Sequence, residues 1–498
     1  MDDVSRAEQG LDATGQKEFL VRPSVDPVGP TLALGVVCAV LLLIAGCATR
    51  PPDMRITQVD PAAGYRIDTR LERVVQNDPE TLLLVAFSGG GTRAAAFSYG
   101  VLEELRRTPV VIAGHEARML DQIDAISSVS GGSFTALAYA LYGERLFDVF
   151  EPRFLKRNVE QGLLTELIDP LNWPTIMFGS FTRSDLAARY YDEILFDGAT
   201  FGDLVGKPGP LVVASTTEFS SGYRFTFTQN TYDLICSNLS STRLALAATA
   251  SSAVPVAFAP VTLKSWGGTC GMQPPKWGEQ LSSLGAAEAL SLSQRLNRLR
   301  ALEDSGRRPW LHLVDGGISD NLGLRAILDL MEVLQLREDF HNVLKLGKVR
   351  RVAVIVVNSQ SSPTPGWDRS PVGPSLIDAI LQASSVPIDD NSMDSIILMQ
   401  LMVERWKLVG EVQSLERKLD PSLRPTRPPI EFYPIVLDFA GIPDAAEREF
   451  FLGLPTSLAL PAETIDRLRA IGGTLLSASP QFQQFQRAIR GDPAHEDQ

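Results

Sequence analysis

The feature that most restricts this chain is a grammar repeated between residues 82 and 357: a short apolar run, a turn rich in glycine or serine, then a helical pattern. Residues 82–87 (LLLVAF) are apolar at every position and end at Ser88-Gly89-Gly90-Gly91, after which 92–107 reads as a helix. A run with no polar alternation belongs to a strand covered on both faces, as in a parallel sheet. The order recurs at 123–127, followed by a Gly-Gly turn and a helix at 134–141, then at 211–214. It returns at 311–314, with a helix at 322–336, and at 352–357. The pattern predicts an α/β fold with a mostly parallel central sheet flanked by helices. A proline-rich loop at 361–374, a long helix near 392–419 and a helical tail from 461 are expected to pack on that sheet.

The 498 residues, at about 150 per domain, allow three domains or one large elaborated one. The boundaries read as a polar region at 1–30, an apolar segment at 31–47, a linker at 48–80, a core domain at 81–330, and an α/β and helical extension at 331–498. No residue from 28 to 49 is charged, and the continuous apolar part (LALGVVCAVLLLIA) is short for a span, which needs about 20 residues. It ends in Ile44-Ala45-Gly46-Cys47, which resembles a bacterial lipoprotein signal. On that resemblance Cys47 becomes a lipidated N-terminus after cleavage. The competing reading is a single transmembrane anchor, favoured by the long region before it, where Lys17 and Arg22 are offset by Glu18 and Asp26. Either one tethers the body to a membrane, and the expected location is a bacterial cell envelope.

With 46 Lys+Arg against 59 Asp+Glu the formal charge is −13, so a broad basic face for nucleic acid is not expected. The sequence points to no protein partner. Cys38, Cys47, Cys236 and Cys270 have no zinc-ligand spacing, and neither a metal nor another cofactor is expected. Cys236 and Cys270 form either a disulfide or two separate thiols.

In an open parallel sheet the site lies beyond the carboxyl ends of the strands, which directs attention to three turns. In Ser88-Gly89-Gly90-Gly91-Thr92-Arg93 successive glycines open a helix, a cradle of N–H donors for an anion or a developing oxyanion. Gly89, Gly91 and Ala94 also match a loose GxGxxA dinucleotide fingerprint, but the second strand ends in serines where a ribose-binding carboxylate belongs. That second turn, Ser128-Val129-Ser130-Gly131-Gly132, resembles a nucleophile elbow centred on Ser130. Ser128 stands where GxSxG has its first glycine, and Gly132 supplies the second. The third turn, Asp315-Gly316-Gly317-Ile318-Ser319-Asp320-Asn321, places an aspartate at the end of an apolar run, with Asp320 or Asn321 suited to cap the next helix. The chain has four histidines, His115, His312, His341 and His495, and none sits in these turns. A carboxylate that is desolvated and hydrogen-bonded to the serine can replace histidine as base.

Taken in order, SGGGTR at 88–93, SVSGG at 128–132, ASSAVPVAF at 250–258 and DGG at 315–317 resemble the patatin-like phospholipase family over residues 82–330. The resemblance implies a three-layer fold, Ser130 as nucleophile, Asp315 as its base, Gly89, Gly90 and Gly91 as oxyanion hole, and supporting roles for Arg93, Gly132, Gly316 and Gly317. It implies membrane lipids as substrate, hydrolysed through an acyl-enzyme without a cofactor. Arg93 either fixes its loop or meets a lipid phosphate. Other readings are an esterase that recruits a histidine, a dinucleotide-binding protein, and a silent envelope scaffold of the same fold. Two stretches could cover the site: 171–181 (LNWPTIMFGSF), a lid or a membrane-facing lip, and the insertion at 264–310.

Overall fold

The computed structural model describes residues 55–74, 78–112, 114–173, 181–272, 286–336, 348–369, 371–420 and 430–490. The apolar segment at 31–47 with Cys47, the polar region before it, His341 and His495 lie outside these residues. The strands are β1 (Thr81–Phe87), β2 (Pro109–Ile112), β3 (His115–Arg118), β4 (Ile123–Val129), β5 (Leu211–Glu218), β6 (Tyr223–Thr226), β7 (Val261–Lys264), β8 (Trp310–Val314), β9 (Arg351–Asn358) and β10 (Glu431–Asp438). The helices used below are α1 (Ile67–Val74), α2 (Gly91–Arg107), α3 (Gly131–Tyr142), α4 (Leu244–Ser251), α5 (Leu324–Leu336), α6 (Leu376–Leu419) and α7 (Ala462–Ala478).

The central sheet runs β10-β9-β1-β4-β5-β8-β7, with β6 on the far length of β5. From β10 to β5 all pairings are parallel, and β1 and β4 are buried at every position, as their unbroken apolar runs require. This is the expected α/β sandwich, with helices flanking the sheet.

The strand that carries Asp315 departs from the parallel grammar. β8 pairs antiparallel with β5, Val314 opposite Thr217. Its own pattern gives the reason: Trp310 and His312 are exposed while Leu311 and Leu313 are buried, the alternation of a half-covered strand. β5 outruns β4, since Val129 pairs with Ser215 and β5 continues to Glu218. β8 descends along this overhang, so its end meets the end of β4 head-on.

Three further segments differ from the sequence reading. β10 (EFYPIVLD) was not expected, because Pro434 and its alternation obscure a strand; Pro is admissible there because this is the sheet's edge. α6 is 44 residues long, beginning at Leu376 rather than near 392, and contains Pro387. The second half of the expected linker docks on the body: Tyr65 is buried, Arg66 forms a buried ion pair with Asp233 at 2.7 Å, and Arg70 donates to the Lys207 carbonyl. Cys236 and Cys270 form a disulfide with Cα atoms 5.6 Å apart. No helix among the described residues is long and apolar enough to cross a membrane.

Candidate active site

Ser130 joins β4 to α3 at φ 49°, ψ −121°, a conformation that non-glycine residues rarely take and the hallmark of a strained strand-to-helix bend. The surroundings hold it there. Its N–H donates to Ser251 Oγ at 2.8 Å, and Ser251 Oγ donates to the Ser215 carbonyl at 2.6 Å. Ser133 Oγ lies 2.9 Å from Ser251 Oγ and 3.2 Å from Ser128 Oγ. Ser128 donates to the Val213 carbonyl at 3.1 Å, so the hydroxymethyl that replaces the usual glycine is absorbed as a tie to β5. Gly132 N–H donates to the Ser88 carbonyl at 3.2 Å, binding the elbow to the glycine turn. Sequence reading missed Ser133, and it noticed Ser251 only as part of a block of small residues.

Asp315 is buried, and the Ser130 hydroxyl lies close enough to act on its carboxyl. Its Oδ1 accepts the Gly317 N–H at 2.7 Å. Burial pushes the carboxyl up to about 6, against the lowering effect of the Gly317 N–H and the Ser130 hydroxyl. The block at 250–258 holds this turn: Asp315 N–H donates to the Ala253 carbonyl at 2.9 Å and Gly316 N–H to the Ser251 carbonyl at 3.1 Å. α4 therefore supports both turns, through the side chain of Ser251 on one and its carbonyl on the other. Asp320 takes the capping role, accepting the Ala326 N–H at 3.3 Å near the start of α5.

The glycine turn lies beside the elbow, with Gly131 packed directly against the Gly91 carbonyl. Its three N–H groups are not equivalent. Gly89 N–H donates to the Asn321 carbonyl at 2.8 Å and is already occupied. Gly90 (φ 135°) and Gly91 (φ 60°) have backbone conformations that a side chain would strain, and neither N–H meets an acceptor among the described residues. The donor cradle thus contracts to Gly90 and Gly91.

Arg93 is buried, with its Nη2 3.0 Å from where a β-carbon on Gly90 would sit. It donates to the carbonyls of Ser359 at 2.7 Å and Leu454 at 2.8 Å, and to Thr456 Oγ1 at 3.2 Å. Burial lowers its guanidinium to about 10, with Asp389 opposing. Of its two expected roles the structure shows the loop-fixing one. Thr92 N–H donates to the Ser457 carbonyl, which sits so close over Gly91 that a β-carbon there would overlap it. The clamp at 454–457 lies some 360 residues after the loop it holds and carries no motif, so nothing in the sequence announced it.

Neither described histidine is a partner of Ser130 or Asp315: His115 is exposed on β3, and His312 meets Thr262 Oγ1 at 2.9 Å. Within the insertion before β8, Ser265 Oγ donates to the Leu302 carbonyl and Ser305 Oγ to the Gly267 carbonyl, and its residues 273–285 lie outside the described residues. Of the other proposed cover, 174–180 lie outside the described residues, while Leu171 and Trp173 are exposed.

Comparison with known proteins follows this geometry. No curated protein matches the chain. Among solved structures it is similar to human GIVD cytosolic phospholipase A2, at 13% identity and TM-score 0.38, covering 86% of this chain and 65% of that one. It is also similar to the same human enzyme in complex with methyl gamma-linolenyl fluorophosphonate, at 12% identity and TM-score 0.39, covering 85% and 62%. The chain thus spans less than two thirds of these relatives. A family model described as patatin-like phospholipase matches residues 85–328, from within β1 through the elbow and the Asp315 turn into α5. Residues 85–328 of this chain are thus similar to a patatin-like phospholipase domain.

Proposed function

We propose that the protein is a serine-dependent lipid acyl hydrolase that cleaves fatty-acyl esters of phospholipids or related lipids. The observation that supports this reading is a conformationally strained serine whose hydroxyl acts on the carboxyl of a buried aspartate, beside two N–H donors that meet no acceptor among the described residues. Asp315 accepts the Ser130 proton as Oγ attacks the ester carbonyl. The N–H groups of Gly90 and Gly91 stabilise the tetrahedral oxyanion, where losing one donor typically costs about 10²–10³ in rate. Collapse expels the alcohol, which takes the proton from Asp315 and leaves acyl-Ser130. Water, activated by Asp315 in turn, releases the fatty acid and restores the serine.

The body is proposed to be tethered to a bacterial envelope through residues 31–47, by lipidated Cys47 or by a membrane anchor. The Cys236–Cys270 disulfide supports an oxidising compartment for it.

A long-chain fluorophosphonate tests the chemistry. Labelling mapped by mass spectrometry to Ser130, lost in Ser130→Ala together with at least about a thousandfold of hydrolysis, is the expected result. Full hydrolysis by Ser130→Ala removes the proposal, whereas labelling at another serine reassigns the site.

A further inference from the structure

Of the two residues suited to cap α5, the fold uses Asp320, which leaves the Asn321 side chain without a part. Its surroundings suggest one. A β-carbon on Gly89 would lie 2.5 Å from Asn321 Oδ1 and 3.3 Å from Ser130 Cβ. One on Gly317 would lie 3.0 Å from Asn321 Oδ1 and 3.0 Å from Asp315 Oδ1. The carboxamide oxygen is therefore no farther from Ser130 Cβ or from Asp315 Oδ1 than two hydrogen bonds laid end to end, about 6 Å.

The backbone that delivers this side chain is tied down. The Asn321 carbonyl accepts the Gly89 N–H at 2.8 Å, which fastens it to the glycine turn. Gly317–Asp320, just before it, form a single helical turn, in which the Asp320 N–H donates to the Gly316 carbonyl at 3.0 Å. Thr217 Oγ1 donates to Ser319 Oγ at 2.9 Å, and buried Asp320 lies 3.8 Å from the Arg224 guanidinium. A side chain on so constrained a backbone loses little further freedom when it meets a reactant.

What the carboxamide meets follows from the groups around it. The hydroxyls near the elbow are committed, Ser88 to Ser359, Ser128 to Val213 and Ser133 to Ser251. The half-buried Asn321 side chain takes no hydrogen-bond partner among the described residues. A polar group so placed is satisfied by water or by a reactant. Asp315 Oδ1 spends one lone pair on the Gly317 N–H and keeps another, and Gly317 brings no side chain between the two oxygens. Two acceptors facing each other call for a molecule with two hydrogens to give. Water gives one to each, while an ester has none.

We propose that Asn321 holds the water that hydrolyses acyl-Ser130, between its own Oδ1 and Asp315 Oδ1, and so acts in deacylation and not in acylation. The inference rests on the lipid hydrolase reading above. The water oxygen bonds to the acyl carbon as one hydrogen passes to Asp315. The other hydrogen, held by Asn321, stays with the oxygen as the hydroxyl of the released acid. The bond from the acyl carbon to Ser130 Oγ then breaks, and Oγ recovers its proton from Asp315.

The full chain is mixed with p-nitrophenyl butyrate, and intact-mass spectrometry follows acyl-Ser130 as it forms and, once the ester is removed, as it decays. Asn321→Ala is expected to slow decay at least about tenfold while formation changes by less than about threefold, so that kcat and KM fall together and kcat/KM holds. A side chain that only packs the two turns slows both steps alike. That result overturns the proposal, as does decay at the wild-type rate. Asn321→Asp keeps the shape and the acceptor but sets a second carboxylate beside Asp315, so the pH midpoint of decay moves up by at least about half a unit. An unmoved midpoint overturns the proposal even where Asn321→Ala does not fold. If wild type forms no acyl-Ser130, the hydrolase reading falls and takes this inference with it, whereas acyl-Ser130 that decays equally in wild type and Asn321→Ala removes the inference alone.

Discussion

Asp315 gains its chemistry from an environment that disfavours its charge. A carboxyl raised from 3.8 to about 6 by burial is a stronger base once ionised, and it is ionised only above that pH. In the proposed mechanism kcat/KM therefore rises with pH through about 6 and levels off above it, as a pH–rate profile on a soluble ester will record. The same shift affects stability. Between 3.8 and about 6 the folded protein binds a proton that the unfolded chain has released, so stability falls as pH rises through that window and the full penalty applies above it. The difference corresponds to about 3 kcal/mol. Asp315→Asn, which keeps an acceptor for Gly317 N–H, should abolish hydrolysis yet unfold at a higher temperature than wild type at pH 8, with the gain shrinking toward pH 4. An equal effect at both pH values would mean that Asp315 is not held against its charge. Ser130 and Asp315 could be named from sequence because a tight bend and a strand-end carboxylate each leave small residues around them. Their approach to each other could not, since it depends on Ser251 and Ala253 setting both turns on one helix end.

At the scale of elements, the glycine turn depends on its clamp. Arg93 joins α2 to the end of β9 and to residues 454–456 through three acceptors. Arg93→Lys preserves the charge but not the fork, and a buried ammonium cannot serve all three. A loss of about 1–3 kcal/mol is expected in thermal or urea unfolding, with kcat reduced more than KM because the Gly90 and Gly91 donors lose their backing. A purely structural role would leave kcat per folded molecule unchanged. The buried strands β1, β4 and β9 were readable because nothing but a two-sided core explains an unbroken apolar run. β10 was not, because its alternation and Pro434 describe an edge, and edges share their pattern with loops. The antiparallel course of β8 was equally hidden: local sequence fixes that a strand forms, while its direction follows from where the chain re-enters the sheet.

For the molecule as a whole, the disulfide closes a loop of 34 residues that begins three residues after Asp233, the partner of Arg66. Loop-closure entropy for that length gives about 3–4 kcal/mol. Cys236→Ala/Cys270→Ala should lower the melting temperature by several degrees, and wild type in reducing agent should match it. No change on reduction would mean that the bond is dispensable. The order of strands has a broader effect. β1, β4 and β5 come from the first half of the chain, yet the pairing order continues from β1 to β9 and β10 and from β5 to β8 and β7. Such long-range pairing makes for slow folding.

The grip of Leu454 and Ser457 on residues 92 and 93 reaches into synthesis itself. A polypeptide still emerging from the ribosome has its serine, its acid and its glycines, but not the last stretch that holds the glycines in place. The proposed hydrolase would then stay silent until residues 454–457 have emerged and folded back onto the loop.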